Sequence, residues 1–579
     1  MYLSELTIQG FRRIDSLTLR FQPGLNVLVG PNNVGKTAVV DALRALLSTT
    51  EERALRISDS DLHVPRAPGA MPAKQITFDY VFRGLTADEE ADFLSALKPA
   101  TGPAGAPGEY EAHIHVRYSS PDAGGRMRPK RWCGDHEENA LTSDMLEDLR
   151  AIYLPPLRDS ASGLRPSRSS QIARLIHRLS DDAAKQEMVE ALKKFDNDLK
   201  AKKPIEQTQT AIRLRHESML GSELKQALAV GLMSPDFHRL AARLSLSVDL
   251  LDIEQNGLGY NNLIYMAVVL SELSLNPDAA YKALIVEEPE AHLHPQMQAV
   301  LLQYLESRKE PEANEKAVQV FVTSHSPNFA AIANIDTIGC LCEHGNTIRS
   351  FFPREVTFDK KKKEKLQRYL DVTRAELYFA RRIILVEGAA ERFMVQALAK
   401  KLNIDLRKHG VSVLSTEGLN FDAFAPLFSK TALNVRVAIV SDADPVAPAE
   451  FPRLGDPLSL SAGAQSVQKL ENEFVRTFFA QKTLEYDLAL QPKNHTTMLD
   501  ALKELHPDIA RDLKTIVDSA PEDEKPKALF NGMFDRGKTK ENIQKGAYAQ
   551  ALAQKIADTN ADFSVPPYIR DALDYIVSV

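Results

Sequence analysis

Cysteine is scarce in this sequence, and long apolar runs are missing. The three cysteines, Cys133, Cys340 and Cys342, give neither a disulfide framework nor the spacing of zinc ligands. The longest apolar run near the middle of the chain, 263–270, is far shorter than the roughly 20 residues that span a bilayer. The amino-terminal residues alternate like a strand and lack the apolar segment of a signal peptide. These features predict a reduced, cytoplasmic protein with no membrane contact.

A strong net charge is missing as well. The 579 residues carry a formal charge of −7, with 44% hydrophobic and 26% charged residues, which is typical of a soluble globular protein. The molecule as a whole is therefore not a polycation, and a nucleic-acid surface would have to be a local patch. The length predicts three or four domains.

A glycine-rich segment near the amino terminus predicts a nucleotide site. The sequence LNVLVGPNNVGKTAVVDALRALL contains an apolar strand, a loop and an amphipathic helix in succession. Gly30, Gly35, Lys36 and Thr37 fit the phosphate-loop pattern, and Asn33 lies in the loop. The glycines let backbone N–H groups approach phosphates, and the helix amino terminus adds positive potential. We expect Lys36 to reach the terminal phosphates and the Thr37 hydroxyl to bind Mg²⁺.

Two further apolar strands end in polar residues suited to ATP hydrolysis. The strand 283–286 runs into Glu287 and Glu288, and a later strand ends at Ser324 and His325. We expect Glu287 to hold Mg²⁺ through water and Glu288 to orient the attacking water. A lone histidine is more often a structural hydrogen-bonding residue, but the two preceding motifs favour a contact between His325 and the γ-phosphate.

A pair of glycines opens another candidate site. Gly257 and Gly259 precede a strongly apolar helix in the segment QNGLGYNNLIYMAVVL. Closely spaced glycines before a helix occur both at anion sites and in plain turns, so the pattern alone leaves both alternatives open.

Four carboxylates in the second half of the chain predict a metal site. The strand 383–386 ends at Glu387, Glu391 follows one helical turn later, and another strand ends in Asp442 and Asp444. Alternating strands and helices imply a parallel sheet, whose sites lie at the carboxyl ends of its strands. Asp442 and Asp444, two apart, would face the same way on an extended strand. One such pair is usually exposed, a helix cap or a salt bridge; two pairs favour neutralisation by Mg²⁺ or Mn²⁺.

The motifs of the first half resemble those of the ATP-binding-cassette ATPases of the RecF, SMC and Rad50 type. The phosphate loop, the glycine-containing helix start, EEPEAHLHP and TSHSP follow one another as in that family. The resemblance implies that Gly257 and Gly259 complete the ATP site of a second subunit, and hence a homodimer or a dimer of dimers. The chain departs from the family pattern at Asn256, where a serine is expected, and at Glu287, where an aspartate is usual. No Q-loop glutamine is assigned; the segment 57–63 occupies roughly that region.

The second half resembles the Toprim domain of topoisomerases, primases and certain nucleases. Preceded by this ATPase, the whole chain resembles the OLD (overcoming lysogenization defect) nucleases, a family to which the Gabija defence nuclease also belongs. The resemblance implies further metal ligands beyond the Asp442 strand, which Thr483 and Glu485 match, and a lysine near the carboxyl terminus, which Lys545 matches. It also implies catalysis by two cations about 4 Å apart, with the lysine stabilising the transition state.

The lysine has nearby competitors. Lys538 and Lys540 precede Lys545 by only a few residues and carry the same charge, so the sequence leaves all three open for this role.

The predicted fold class is α/β. We expect an ABC-type, RecF/SMC/Rad50-like ATPase with a helical insert, followed by a Toprim domain with a parallel sheet. The predicted boundaries are 1–165 and 241–375 for the two parts of the ATPase, 166–240 for the insert, and 376–579 for the Toprim domain with helical C-terminal additions. The insert shows apolar residues at three- and four-residue spacing. We favour a dimerisation role for it over the alternative of a lid on the ATPase.

A compact basic cluster joins the two halves. Lys360 to Lys363, with Lys365 and Arg368, lie just before the first carboxylate strand. A solvated helix face and a contact to a nucleic-acid backbone are equally supported by the sequence.

These motifs together predict an ATP-binding and ATP-hydrolysing, divalent-metal-dependent DNA endonuclease in anti-phage defence or DNA processing. The predicted cofactors are ATP and Mg²⁺, with Mn²⁺ accepted at the nuclease site. The predicted partners are DNA, further copies of the chain and, as for some relatives, a second defence-system protein. The alternative is a RecF-like repair ATPase whose Toprim region only docks partners, although a docking module needs no such cluster of carboxylates.

Overall fold

The secondary structure alternates strands and helices along most of the chain. The computed structural model describes residues 1–48, 55–66, 69–100, 109–119, 121–122, 124–156, 163–167, 170–224, 226–232, 236–249, 251–275, 279–307, 317–357, 360–537, 540–558 and 562–578. The strands within these ranges are β1 (Tyr2–Phe11), β2 (Ile14–Arg20), β3 (Leu25–Val29), β4 (Gln75–Arg83), β5 (Leu97–Pro99), β6 (Tyr110–Ser119), β7 (Arg128–Cys133), β8 (Leu149–Leu154), β9 (Ser247–Val248), β10 (Leu251–Asp252), β11 (Tyr281–Glu287), β12 (Gln319–Thr323), β13 (Ile338–His344), β14 (Thr347–Phe351), β15 (Arg382–Val386), β16 (Val411–Ser415), β17 (Arg436–Ser441) and β18 (Val475–Phe479). The α-helices are α1 (Lys36–Leu47), α2 (Ala87–Asp92), α3 (Ser143–Asp148), α4 (Gln171–Leu179), α5 (Asp182–Lys200), α6 (Lys203–Leu224), α7 (Phe237–Ala241), α8 (Leu258–Ser274), α9 (Pro295–Ser307), α10 (Pro327–Ile332), α11 (Lys360–Tyr369), α12 (Ala389–Lys401), α13 (Phe421–Phe424), α14 (Ala462–Gln468), α15 (Leu484–Ala489), α16 (His495–Leu505), α17 (Pro507–Ser519), α18 (Lys525–Phe534), α19 (Lys545–Asp558) and α20 (Pro567–Val577).

The first sheet is antiparallel and half-buried. Its strands run in the order β2-β1-β4-β6-β5, with β7 beside β6. Strand β4 buries alternate residues, so one face of the sheet packs into the core. On the other face the ring of Trp132, the only tryptophan of the sequence, stacks on His115 with 5.0 Å between ring centroids. The Arg117 guanidinium lies 4.9 Å from the same indole.

The second sheet carries the nucleotide motifs. Its order is β14-β13-β3-β12-β11-β8, and all neighbours are parallel except the β13–β14 pair. Strands β3, β11 and β12 are buried along their whole length, which explains their continuous apolar sequences. Because these three strands are parallel neighbours, their carboxyl ends bring the phosphate loop, Glu287 and Ser324 to one edge.

The helical prediction for the insert is confirmed, while its boundaries and its dimerisation role stay predictions. Helices α5 and α6 contact each other, and α4 packs on α8. Several large apolar side chains of this region are more than half exposed, among them Phe195 (57%), Leu214 (59%) and Met219 (80%).

The third sheet is wholly parallel, as predicted. Its order is β16-β15-β17-β18. The chain leaves β15 for β16 on one side and then returns to β17 on the other, so a topological switch point lies between β15 and β17. Helices α12, α16 and α19 pack together on one face of this sheet.

One hydrophobic cluster continues from the second sheet into the third. It contains Phe329 and Ile335 from the amino-terminal half, Leu366 and Tyr378 from the connecting segment, and Phe421 from the carboxyl-terminal half. The predicted boundary at 375 therefore falls inside a shared core and stays a prediction.

The basic cluster lies on α11 between the two halves, where acids neutralise part of it. Lys363 lies 2.5 Å from Asp336 of the amino-terminal half, and Lys365 lies 3.3 Å from Asp422 of the carboxyl-terminal half. Lys362 also reaches Asp422, at 3.6 Å. These lysines bridge the halves, a role that the sequence did not suggest.

Among the described residues, no helix has both the length and the apolarity that a membrane crossing requires.

A buried acid ties the insert to α8. Glu272 is 1% exposed, and its Oε1 lies 3.3 Å from Arg150 Nη2 and 3.1 Å from Arg178 Nε. Because the three residues come from α8, β8 and α4, this ion cluster holds the start of the insert against the ATPase sheet.

Replacing Glu272 by alanine should destabilise the protein. Removal of the shared acid leaves two cations facing each other, and we expect a loss of about 3 kcal/mol of unfolding free energy, measured by calorimetry. The matched control is Glu190→Ala, because the Glu190 side chain on α5 is 69% exposed. Equal melting of both variants would contradict a structural role for the cluster.

Candidate functional site: an ATP site and an acidic sheet edge

Glycine is required at the end of β3 by close packing and by backbone conformation. Gly30 has φ 147°, and a Cβ there would lie 2.3 Å from the carbonyl oxygen of Leu341. Gly35, with φ 91°, precedes α1, which begins at Lys36. Asn33 also adopts a left-handed conformation, with φ 69°. The loop thus follows the strand and opens a helix, as the phosphate-loop pattern predicts.

The side chain of Lys36 bends back and contacts the backbone of the phosphate loop. Lys36 Nζ donates to the carbonyl oxygens of Gly30 (2.6 Å) and Pro31 (2.8 Å). Burial lowers the pKa of Lys36 to about 8, against the opposing effect of the negative charges of Glu288 and Glu290. A bound polyphosphate would favour the protonated form.

Glu287 lies at the end of β11 beside the phosphate loop. The Tyr153 hydroxyl donates to Glu287 Oε2 at 2.8 Å. Burial raises the pKa of Glu287, while hydrogen bonds from Tyr153 and Thr37 work in the opposite direction. The proximity of Thr37 and Glu287 suits their predicted roles as ligands of one Mg²⁺, directly and through water.

The structure brings Glu288 and His325 together. Glu288 has φ 46°, and its N–H donates to the carbonyl oxygen of Thr323 at 2.9 Å. Its Oε1 lies 3.6 Å from His325 Nε2. Burial and the charge of Lys36 lower the pKa of His325, so the neutral imidazole is favoured. This arrangement suits a water-orienting glutamate and a histidine near the terminal phosphate.

Sequence reasoning missed Glu290 and Tyr153. Glu290 Oε1 accepts hydrogen bonds from Ser324 Oγ (2.7 Å) and from the His325 N–H (3.1 Å), so this acid holds the histidine loop. Burial raises the pKa of Glu290. Its position as the third acid of EEPEAH could have identified Glu290 as a site residue. Tyr153 lies in an ordinary strand sequence, which contains no signal of a functional role.

The glycine pair begins α8, with one member inside the helix. Gly257 caps the helix, and Gly259 lies in its first turn, so the prediction that both precede the helix was wrong for Gly259. A Cβ at Gly259 would lie 2.6 Å from the His292 carbonyl oxygen, so close packing requires glycine there. Leu258 and Tyr260 are 58% and 59% exposed. A contact with the nucleotide of a second copy stays a prediction.

A second group of polar residues lies at the carboxyl edge of the third sheet. Glu387 follows β15, and its Oε1 accepts hydrogen bonds from Ser441 Oγ (2.5 Å) and from the Asp442 N–H (3.0 Å). Asp442 follows β17, and its Oδ1 accepts from the Leu484 N–H at 3.0 Å. Hydrogen bonds therefore link the ends of β15 and β17 with the start of α15, which follows β18.

Burial and mutual repulsion act on these acids. Burial raises the pKa of Glu391, and the negative charges of Glu485 and Glu387 raise it further. The pKa of Asp442 is raised well above its ordinary value by burial and then by the same two neighbours. Glu391 also accepts from the Gly388 N–H at 2.8 Å, which caps α12. Of the four acids expected to crowd here, Glu387, Glu391 and Asp442 act on one another, and Glu485 joins them in place of Asp444.

Thr483, Glu485 and Lys545 join the same edge. The Thr483 hydroxyl accepts from the Tyr486 N–H at 3.4 Å and caps α15. Lys545 Nζ, at the start of α19, lies 2.9 Å from Glu485 Oε2. Burial disfavours the charge on Lys545, but the charges of Glu485 and Asp442 outweigh it and raise the lysine pKa.

Of the competing lysines, Lys540 is exposed, and Lys538 lies outside the described residues.

Asp444 departs from its predicted position. Strand β17 ends at Ser441, so the expectation that Asp442 and Asp444 face the same way on an extended strand was wrong. Asp444 adopts a left-handed conformation with φ 45° and is exposed. Its N–H donates to the Lys482 carbonyl oxygen at 3.1 Å, which turns the backbone toward the segment before α15.

The chemistry of this edge fits divalent cations. Both carboxylate oxygens of Glu485 are buried; Oε2 faces Lys545 Nζ, and Oε1 has no hydrogen-bond partner among the residues that the structure describes. All the acidic donors are oxygens, which Mg²⁺ and Mn²⁺ prefer. In the described ranges no three acidic, histidine or cysteine side chains already converge closely enough to enclose an ion.

Two family models match the chain where these sites lie. The AAA ATPase domain matches residues 1–103 and 127–330. The TOPRIM domain of overcoming lysogenization defect protein-like sequences matches residues 378–444. The AAA ATPase model matches more than half of the chain, so the chain belongs to this ATPase family. It combines the ATPase domain with an OLD-like TOPRIM domain, and these two domains imply the use of nucleotide and divalent metal.

Relatives of this chain match it over different lengths. It is 24% identical over 438 residues to the OLD nuclease of Thermus scotoductus, covering 72% of this chain and 77% of that protein. It is 48% identical over 59 residues to the DNA replication and repair protein RecF of Symbiobacterium thermophilum, covering 10% of this chain and 16% of that protein. Among solved structures, the C-terminal region of the Burkholderia pseudomallei OLD protein is 29% identical, with a TM-score of 0.25, covering 34% of this chain and 97% of that chain.

The lowered pKa of Lys36 predicts that the affinity of this chain for ATP depends on pH. With the pKa of the free protein at about 8, the lysine is neutral at pH 9.5 and must take up a proton when phosphates bind. The affinity should therefore fall as pH rises, by up to about tenfold per pH unit above the pKa. Titration of a fluorescent ATP analogue between pH 7 and 9.5 measures this fall.

The control is Lys36→Arg, because arginine stays charged throughout this range. A slope in the variant as steep as that of the wild type would show that another group titrates.

Proposed function

We propose that this chain is an ATP-hydrolysing, divalent-metal-dependent DNA endonuclease. The observation that carries the proposal is the linked acidic edge, where Glu387, Asp442 and Glu485 follow three neighbouring parallel strands. A cation, the 44% exposed Lys545, lies against this edge. Acids crowded and desolvated in this way bind cations in preference to staying charged alone.

The residues at the acidic edge of the third sheet would have different roles in cleavage. Glu387, Glu391, Asp442 and Glu485 would hold the metal, and Thr483 fixes the start of α15, which carries Glu485. Bound there, divalent cations would activate water and stabilise the leaving oxygen of a phosphodiester. Lys545 offers its positive charge where negative charge develops on the phosphate. Asp444 lies on the exposed side of the edge, where an outer cation or its water ligands could reach it.

The ATP site has its own set of residues. Lys36 and Thr37 would bind the phosphates and Mg²⁺, and Glu287 would hold the ion through water. Glu288 would orient the attacking water, and His325 would contact the γ-phosphate. Gly257 would complete the site of a second copy. A role in defence against phage or in DNA processing is proposed from the OLD-like TOPRIM domain and from the similarity to an OLD nuclease.

The first experiment compares nicking of supercoiled plasmid by wild type and Asp442→Ala in Mg²⁺ and in Mn²⁺. We expect wild type to nick the plasmid and Asp442→Ala to lose at least about 100-fold in rate, because the acid binds the reacting ion. The matched control is Glu473→Ala, an exposed acid before the amino end of β18. Each protein is assayed with and without ATP.

Equal cleavage by wild type and Asp442→Ala would reject the proposed site. ATP turnover without cleavage in either metal would favour the alternative, a RecF-like ATPase with a docking TOPRIM domain.

The proposed dimer is tested at the insert. Light scattering should give at least twice the chain mass for wild type, and Phe195→Asp with Leu214→Asp should shift the protein toward monomer, because charge in an apolar interface is costly. The control is Met71→Asp, since Met71 is 84% exposed but lies outside the insert. A wild-type monomer with ATP bound would contradict the proposal.

A further inference from the structure

A buried arginine connects the segment between the two halves to the nuclease edge. Arg374 lies in a short 3₁₀ turn, Arg374–Tyr378, and is 7% exposed. On its own side, its Nη1 donates to the carbonyl oxygen of Tyr369 (3.1 Å) and to the carboxylate of Asp371 (2.8 Å). These contacts fix the guanidinium relative to α11.

The other donors of the guanidinium reach the end of β16. Arg374 Nε donates to the Ser415 carbonyl oxygen at 2.6 Å, and Nη2 donates to Glu417 Oε1 at 2.6 Å. The arginine therefore binds the first and the last residue of the short segment 415–417. Buried arginine forks of this kind impose a fixed geometry on the groups they contact.

The segment held by Arg374 also holds the backbone of Glu387. The Gly418 N–H donates to the Glu387 carbonyl oxygen at 2.8 Å, and Ser415 Oγ donates to the same oxygen at 3.2 Å. One turn thus fixes the peptide of the acid at the end of β15.

This turn has a backbone conformation that needs support. Glu417 has φ 52° and Gly418 has φ 89°, both in the left-handed region. A residue other than glycine persists there only when its surroundings determine the conformation. The ion pair between Glu417 and Arg374 is the contact that fixes this side chain.

We propose that Arg374 is a positioning residue for the nuclease site, which it serves by fixing the 415–418 turn and, through it, the orientation of Glu387. The inference rests on the proposed metal-dependent nuclease. Groups that orient metal ligands without touching the ion commonly change metal affinity when they are removed.

The placement of Arg374 also relates the nuclease edge to the ATP half. Its 3₁₀ turn packs on α10, which begins at Pro327, two residues after His325. The turn that carries Arg374 therefore lies between the loop of His325 and the Glu387 edge, and a movement of that loop would act on this turn first.

The test measures Mn²⁺ binding without ATP, by electron paramagnetic resonance of the free ion, together with plasmid nicking and ATP turnover. Arg374→Ala should weaken Mn²⁺ binding by about tenfold or more and slow nicking, with ATP turnover retained. Guanidinium ions at millimolar concentration should partly restore Mn²⁺ binding to Arg374→Ala, because they can occupy the vacated pocket. Equal concentrations of sodium chloride should not, which separates orientation from general stabilisation.

The matched control is Arg381→Ala, an exposed arginine of the same segment at the opposite, amino end of β15. It should bind Mn²⁺ and nick plasmid like wild type. A folded Arg374→Ala protein with wild-type Mn²⁺ affinity would overturn the inference.

A second variant covers the case in which Arg374→Ala does not fold. Glu417→Ala removes one contact of the guanidinium and leaves the others. Weaker Mn²⁺ binding by this variant supports the inference, and unchanged binding overturns it.

The outcomes separate this inference from the proposed function. If wild type binds Mn²⁺ but never nicks, the nuclease proposal fails while the Mn²⁺ comparison still decides the role of Arg374. If Asp442→Ala loses cleavage and Arg374→Ala does not, only the positioning role fails.

Discussion

Burial of negative charge where parallel strands end, in the second and in the third sheet, is the constraint on which both sites depend. Parallel strands deliver the residues that follow them to one edge of a sheet. Burial raises the pKa values of Glu287 and Glu290 at one edge and of Glu391 and Asp442 at the other. Each edge also receives a lysine.

The two lysines respond differently to the same kind of environment. Burial dominates at Lys36, whose pKa falls, whereas the surrounding acids dominate at Lys545, whose pKa rises. Lys36 is thus prepared to gain a stronger anionic partner, as a nucleotide would be. Lys545 is already held by Glu485, so it stays charged beside the acids and can act on a phosphate that approaches them. The two lysines differ in burial as well as in their acids, since Lys36 is 4% exposed and the Lys545 side chain is 44% exposed.

Sequence patterns predicted most of the strands and the edges they form. Apolar strands followed by acids are local features, and parallel topology then brings Glu387 and Asp442 together without any knowledge of packing. The predicted orientation of Asp444 was wrong, because strand β17 ends at Ser441 and the next residues form a turn. It missed Glu290, Tyr153 and Arg374, because their importance comes from hydrogen bonds to residues between 34 and 134 positions away. It gave the basic cluster no structural partner, because Asp336 and Asp422 come from different halves.

Because the sequence has a single tryptophan, the tryptophan fluorescence of this chain reports on one sheet only. Trp132 lies on the outer face of the antiparallel sheet, stacked on His115 and next to Arg117. Its emission will follow the packing of that sheet and will be insensitive to the TOPRIM sheet, which contains no indole. A denaturation curve recorded by tryptophan emission and one recorded by circular dichroism would therefore differ if the halves unfold separately. Coincident curves would indicate that the shared core around Tyr378 makes them unfold as one unit.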